Sequence, residues 1–433
     1  MLISIMKYQP IPAAFFQENR DELASKLPAG SLLIIHSNDV YPTNADGTMA
    51  LHQNANLFYL CGIDQEETVL VMAIGANGSH QDTLFLRETN DQIAIWEGAR
   101  LKREQGSELS GIRDVRWTTE YDALIEQLVP AASTVYLEEN QHPRCTSPVQ
   151  TRNVRLASEL KSKFPEAEYA NIYPILGDMR LIKKPVEIEY IKMACDITGE
   201  GFKSLLKALK PGMGEWEIEA ILSYEYLRRG ARKFSFLPII ASGDNSCVLH
   251  YIVNDQICRD GDLVLLDIGA EYGNYNGDMT RTVPVNGRFT PRQKAVYNAV
   301  HNAMKYAMQI LRPGIDKKEY ERLVRVFVGN ELVTLGLLTP EDLAEKPEDP
   351  PAVRRYFMHG VSHSLGLDVH DVGDPQPVLQ ANMVFTIEPG IYIREEGIGI
   401  RLETDVLIGE ESNTDLLAQV PLDADEIEKW MAE

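Results

Sequence analysis

The chain lacks the features that would tie it to a membrane, a nucleic acid or an oxidising compartment. Nowhere in its 433 residues does an apolar run approach the roughly 18 positions a spanning helix needs. The opening decapeptide MLISIMKYQP has too short an apolar stretch for a secretory leader. Cysteine is scarce: five residues, an odd number, with no C-x-x-C pair, so neither a disulfide framework nor a thiolate zinc site is indicated. A reducing, cytoplasmic setting is the simplest expectation. Basic residues are also short, 42 Lys and Arg against 64 Asp and Glu, for a net charge of −22. That excludes a phosphate backbone, which needs a basic face, and equally disfavours an anionic membrane surface. With 44% apolar and 24% charged residues, the rest is ordinary for a globular chain long enough for two or three domains. The acidic excess poses one question: do any of these carboxylates hold metal?

The first third alternates helical and extended patterns. Pro12–Leu27 reads as a helix with Phe15, Phe16, Leu23 and Leu27 as its apolar positions. Strands are expected at Ser31–His36, Leu57–Cys61, Thr68–Ile74, Thr83–Arg87 and Thr134–Glu138, and helices at Glu120–Leu128 and Thr151–Phe164. This is an α/β unit with a mixed sheet. A boundary falls near Leu176–Met179, giving an N-terminal domain over 1–178 and a second over 179–433. The second opens on helices from Pro185 to Lys210 and Glu215 to Arg229, and strands with intervening helices follow from Phe234. Gly199–Ser204 resembles a scrap of a phosphate loop, but it lacks the required spacing and sits in a helical pattern.

The most informative stretches are two hairpins. In LVLLDIGAEYGNYNGDMTRTVPV an apolar strand runs into Asp267, a Gly/Asn-rich turn follows, and a second strand begins near Asp278. A turn centred between Tyr272 and Gly273 puts Asp267 opposite Asp278, with Cβ atoms about 4.5–5.5 Å apart. MVFTIEPGIYIREEGIGIRLETDVLI repeats the design, and a turn centred between Glu395 and Glu396 puts Glu388 opposite Glu403. Any one of these acids alone reads as a turn cap or a solvated face. Four of them, paired by register, following buried strands and occurring twice, read as a cation site, because facing like charges need a cation or a proton between them. With one histidine they suit a pair of hard or borderline divalent ions.

The histidine source is the segment Met358–Gly373, MHGVSHSLGLDVHDVG, in which His359, His363 and His370 are three of the chain's nine histidines. His250 stands just before the first hairpin. His359 and His363 are spaced as in H-E-x-x-H zinc helices, but no Glu follows His359, and Gly360 and Gly366 argue against a long helix.

These motifs, in this order, resemble the pita-bread metallopeptidases, the family of methionine aminopeptidase, prolidase and aminopeptidase P: Asp267-x10-Asp278 with Thr280-Arg281-Thr282, the histidine segment, Thr386-Ile-Glu-Pro-Gly390 and Ile400-Arg-Leu-Glu403. The resemblance implies a pita-bread catalytic domain with pseudo-two-fold halves, preceded by a smaller α/β domain. It implies two divalent metal ions, with Mn2+ the usual expectation and Co2+, Fe2+ or Zn2+ also accommodated. Asp267 resembles the bidentate ligand of one ion, Asp278 and Glu403 the bridging carboxylates, and His363 and Glu388 the ligands of the second ion. His250, His359 and His370 resemble the histidines lining the substrate pocket. In the first third, Leu51–Gly62 and Trp96–Leu101 resemble the N-terminal domain of aminopeptidase P, with His52 and Cys61 where the family more often has Arg and Thr. The implied partners are peptides beginning Xaa-Pro and further copies of the chain, as a homodimer or homotetramer.

The implied activity is release of the first residue from peptides with proline second, by attack of a metal-bridging hydroxide. Glu388 is the expected general base, and His250 and His370 the donors to the oxyanion or leaving nitrogen. Tyr392, His359 and Arg401 line or brace an apolar slot for proline, whose tertiary amide offers no N–H. The alternative is prolidase, which must bind a dipeptide's free carboxylate. Between Asp371 and Arg394 the chain has no Lys or Arg for that task, which favours aminopeptidase P. A binding-only member of the fold is the third reading, and the complete set of ligands opposes it.

Overall fold

A computed structural model describes residues 8–145, 147–373 and 377–432, in two compact units, Met1–Met179 and Arg180–Glu433.

The first unit is built on a six-stranded mixed sheet. In spatial order its strands are Asp114–Trp117, His80–Leu86, Val69–Ile74, Ser31–His36, Thr134–Leu137 and Tyr169–Asn171. Ser31–His36 lies centrally, antiparallel to Val69–Ile74 and parallel to Thr134–Leu137, and is buried along its whole length. That is why SLLIIH is a continuous apolar run rather than an alternating one. Leu32, Ile34, Val71, Phe85, Ile125, Val135 and Leu156 form the core on one face.

One element differs from expectation. Leu57–Cys61 is not a strand but part of the helix Ala55–Cys61. The Asn54 side chain caps it by accepting from Leu57 N–H, and Gly62 closes it at φ 67°. A short apolar run looks alike in either form, and the cap and the closing glycine decide it. A Cβ on Gly62 would meet the Phe16 ring at 2.2 Å, so the glycine also seats the first helix, Ala13–Lys26.

On the same unit His80 sits between two carboxylates, Nδ1 2.6 Å from Asp82 and Nε2 2.8 Å from Asp21, while the buried Arg20 also pairs with Asp82. The hydrogen bond to Asp82 leads, burial opposes, and the net effect raises the imidazole above its ordinary value of 6.5. A raised pKa means that the folded form binds the proton more tightly. Its stabilisation is therefore complete below about pH 6.5 and is lost as the pH rises through the folded-state value. His80→Gln is expected to lower the melting temperature at pH 6 and to cost less at pH 9. Equal costs at both values would contradict this.

The second unit repeats one plan. Helices Pro185–Ala208 and Glu215–Arg228 precede the antiparallel strands Ile239–Ser242, Leu263–Ile268 and Met279–Pro284. Helices Pro291–Ile310 and Lys317–Thr334 precede Val384–Ile387, Gly390–Ile393, Ile398–Arg401 and Thr404–Leu407. The halves meet along a seam. Glu403 N–H donates to Thr280 O, Thr282 Oγ1 donates to Arg401 O, and the buried Arg281 donates to the carbonyls of Glu403 and Pro421.

The second hairpin has the expected register: Ile387 pairs with Thr404 and Gly390 with Arg401, which sets Glu388 opposite Glu403. The first is shifted. Asp267 pairs with Thr280 and Tyr272 with Tyr275, so the turn is Gly273-Asn274, both residues at positive φ. Those two residues tolerate the left-handed conformation that a tight hairpin demands, and Tyr272 does not. Asp278 is thus two places from the residue opposite Asp267. It stays on the same face as a diagonal neighbour, within about 7–8 Å. The hairpin also runs very close to itself, for a Cβ on Gly269 would lie 1.9 Å from Gly277 O.

Candidate metal centre

Four strand ends and one irregular loop converge. Asp267 is in Leu263–Ile268, Asp278 immediately precedes Met279–Pro284, Glu388 follows Val384–Ile387, and Glu403 lies between Ile398–Arg401 and Thr404–Leu407. His363 comes from the loop after residue 357, which is not helical, and its backbone N–H donates to the Thr386 hydroxyl at 3.2 Å. One ligand atom each of Asp278, His363 and Glu403 lies within 4.8 Å of the other two.

Electrostatics bring in the remaining acids. Burial foremost, then the charges of Asp267, Asp405 and Glu388, hold the Asp278 carboxyl well above the usual carboxylate range. Glu403 is raised likewise, by burial and then by Asp278, Glu388 and Asp267. The cluster therefore lacks positive charge. Arg401 supplies some, donating to Asp267 Oδ2 at 2.6 Å, but Asp267 Oδ1 and Asp278 Oδ1 are buried with no hydrogen-bond partner. Orphaned buried carboxylate oxygens are costly, and a cation satisfies them.

His363 fits the same occupant. Its Nδ1 faces Ser364 O at 3.1 Å, which fixes the proton there and leaves Nε2 with a lone pair. That lone pair faces Asp278 Oδ2 at 3.4 Å and Glu388 Oε1 at 3.9 Å. Acceptors facing acceptors repel unless a cation lies between them, and a carbonyl behind the imidazole is the usual support of a metal-bound histidine. The residues fit a divalent ion.

Around this centre, His359 Nδ1 donates to Gly360 O at 2.7 Å, so its Nε2 accepts from Tyr392 Oη at 2.8 Å. Tyr392 in turn accepts from Arg401 at 2.9 Å. Burial first, with Arg401 adding, pushes the His359 imidazole down to about 3, and burial pushes the Tyr392 phenol up to about 12. Both are neutral at physiological pH. Tyr392 and Arg401 are buried beneath the acids, whereas His250 and His370 are exposed. The His370 ring meets His363 edge-on at 4.4 Å, and His250 is near enough to bear on His359.

The sequence assigns no role to three further groups. Thr280 donates to Glu403 at 2.7 Å and accepts from Arg401 at 3.2 Å. Asp405, fully buried and pushed up to about 7 chiefly by burial, accepts from Asp278 N–H at 2.9 Å and from the Cys195 thiol at 3.2 Å. Its signal was available, because Glu403 and Asp405 are two apart in an extended segment and so share a face. Asp371, bound by Arg180 and Lys183, had no local signature. Of the stretch between Asp371 and Arg394 that lacks Lys and Arg, positions 374–376 lie outside the described residues.

Comparison with known proteins gives a consistent picture. Residues 189–410 match metallopeptidase family M24, and residues 16–136 match the N-terminal domain of aminopeptidase P. Xaa-Pro aminopeptidase of Escherichia coli strain K12 is 35% identical, over 96% of this chain and 97% of its own. Human Xaa-Pro aminopeptidase 3 is 31% identical, over 92% of this chain and 80% of its own. Among solved structures, E. coli aminopeptidase P in complex with substrate matches with a TM-score of 0.89 at 33% identity, over 98% of this chain and 99% of the other. A Zn-substituted form of that enzyme with product matches at 0.90 and 33%, with the same coverage.

Proposed function

Because this chain belongs to metallopeptidase family M24 and carries the aminopeptidase P N-terminal domain, we infer that it is a metal-dependent exopeptidase releasing the first residue from peptides with proline second. The fold is accordingly of the pita-bread type, and the site binds divalent metal. The observation that carries the reading beyond kinship is the converging set of acids, with orphaned oxygens and one imidazole aimed into it. Dipeptide-only cleavage is not favoured.

The finer reading assigns two ions, with Mn2+ the leading candidate, held by Asp267, Asp278, His363, Glu388 and Glu403. When bound, such a pair lowers the pKa of a shared water and polarises the scissile carbonyl. Glu388, partly exposed and facing both His359 and His363, takes the proton of the attacking water. His370 and His250, on the exposed side, donate to the carbonyl oxygen or the leaving nitrogen. Arg401 balances Asp267 while leaving Oδ1 available, and through Tyr392 it holds His359 as a neutral, oriented wall of the proline slot.

The domains are taken as 1–178 and 179–433. A homodimer or homotetramer is proposed, and the exposed Ile95 and Trp96 offer apolar contact area for it. A cytoplasmic location suits the free cysteines, all five of them unpaired. Among the described residues no helix is long and apolar enough to cross a membrane.

The test is hydrolysis of an Xaa-Pro-Yaa tripeptide against the matching Xaa-Pro dipeptide, with Mn2+, Co2+ and Zn2+ compared. The tripeptide is expected to win by at least about tenfold in kcat/KM. Preference for the dipeptide would establish prolidase instead.

A further inference from the structure

Beside the metal centre, and sharing no ligand with it, lies a set of opposite charges that is enclosed except at Asp368. Lys183 Nζ donates to Asp371 Oδ2 at 2.7 Å and to Arg180 O at 2.5 Å. Arg180 donates to Asp371 Oδ1 at 2.6 Å and to Asp368 Oδ2 at 2.8 Å. The side chains of Arg180, Lys183 and Asp371 are each at most 2% exposed. A buried pair of this kind is poor evidence of stabilisation, since well-packed apolar groups often do as well; its best-attested value is in fixing one geometry over others.

The geometry fixed here is that of the histidine loop. Asp371 directly follows His370, and Ser364 directly follows His363. These neighbours are tied twice, Asp371 N–H to Ser364 O at 3.0 Å and Ser364 Oγ to Asp371 O at 2.9 Å. Between them, Gly366 O accepts both the backbone and side-chain N–H of Asn276 at 3.0 Å, two residues before Asp278. A Cβ on Gly366 would fall 2.4 Å from Asp371 Oδ2 and 3.0 Å from Lys183 Nζ, so the loop is drawn down onto the charges with no room to spare. Lys183 N–H also holds Asn382 O at 2.8 Å, just ahead of the strand Val384–Ile387 that leads to Glu388. A loop without helix or strand is thus pinned to the first hairpin and to the approach of the second.

We propose that Lys183 is a positioning residue for the metal centre: through Asp371 it holds the loop so that His363 and His370 keep their edge-to-face contact and His363 Nε2 faces Asp278 and Glu388. This rests on the metallopeptidase reading. It locates a control on metal affinity in the segment leading into the helix Pro185–Ala208, remote in sequence from every ligand.

The test uses the full chain, with Lys183→Met, Asp371→Asn and their double variant. Mn2+ affinity is read by calorimetry on folded protein, kcat and KM by tripeptide hydrolysis, and melting temperature without metal. Each single variant is expected to bind Mn2+ about 10–100-fold more weakly. Each should also lose kcat at saturating Mn2+ with KM unchanged, and the double variant should be no worse than the poorer single one. If Lys183→Met does not fold, Asp371→Asn, which keeps the side chain's shape, carries the test. A variant that melts lower yet keeps wild-type Mn2+ affinity and kcat makes the cluster merely structural and overturns the proposal. Wild-type protein that binds Mn2+ without cutting the tripeptide overturns the peptidase reading alone, and the affinity comparison still decides the positioning role. Wild-type protein that binds no Mn2+ overturns both.

Discussion

Asp278→Asn should abolish hydrolysis and metal binding together. The carboxylate is buried, lies with His363 and Glu403 in the tightest donor cluster of the site, and shares its surroundings with Asp267, Glu388 and Asp405. An amide of the same shape contributes one neutral oxygen where a charge is needed. Loss of the metal would remove several kcal/mol of transition-state stabilisation, so kcat/KM is expected to fall by at least about a thousandfold. Elemental analysis of the purified variant should show the metal gone. A second signature has the opposite sign. Without metal, wild-type protein confines mutually repelling acids, and removing one relieves that repulsion. Metal-free Asp278→Asn is therefore expected to melt no lower than metal-free wild type, while added Mn2+ should raise only the wild-type melting temperature. Full activity in Asp278→Asn would disprove the ligand assignment.

His370→Ala should separate chemistry from metal. The ring is exposed and meets the edge of His363, whose own support is Ser364 O. Metal content is expected to stay at the wild-type level, while kcat drops by about a hundredfold or more, the usual worth of a positioned proton donor. A donor acting on the oxyanion or leaving nitrogen changes kcat more than KM, because its bond strengthens in the transition state. If His370→Ala lost its metal, the residue would belong with the loop's scaffolding rather than with the reacting atoms.

How far the sequence could be read follows from how local each signal was. Glu388 opposite Glu403 was legible because Arg394–Gly397 is an unambiguous turn between regular strands. Asp267 and Asp278 were found on one face, yet their offset was wrong, because the turn depends on which of Tyr272, Gly273 and Asn274 accept positive φ. Leu57–Cys61 reads as a strand because a five-residue apolar run has no period of its own, whereas Asn54 with Gly62 makes it a helix. The ion pair of Arg401 with Asp267, 134 residues apart, and the bonding of Asp371 to Lys183, 188 residues apart, have no local trace. Such contacts exist only once the chain has closed on itself, so no reading of spacing could supply them.

The seam between the halves also sets a schedule. Thr280 and Glu403, which bond across it, are 123 residues apart. At about 5–20 residues per second, a ribosome delivers the second on the order of ten seconds after the first. Within that interval His363 and Glu388 join Asp267 and Asp278, and Glu403 comes last of the five expected ligands, so the donor set is complete only when Glu403 has been made. Stable metal loading is therefore expected only after Glu403 has emerged, and not while the first hairpin stands alone.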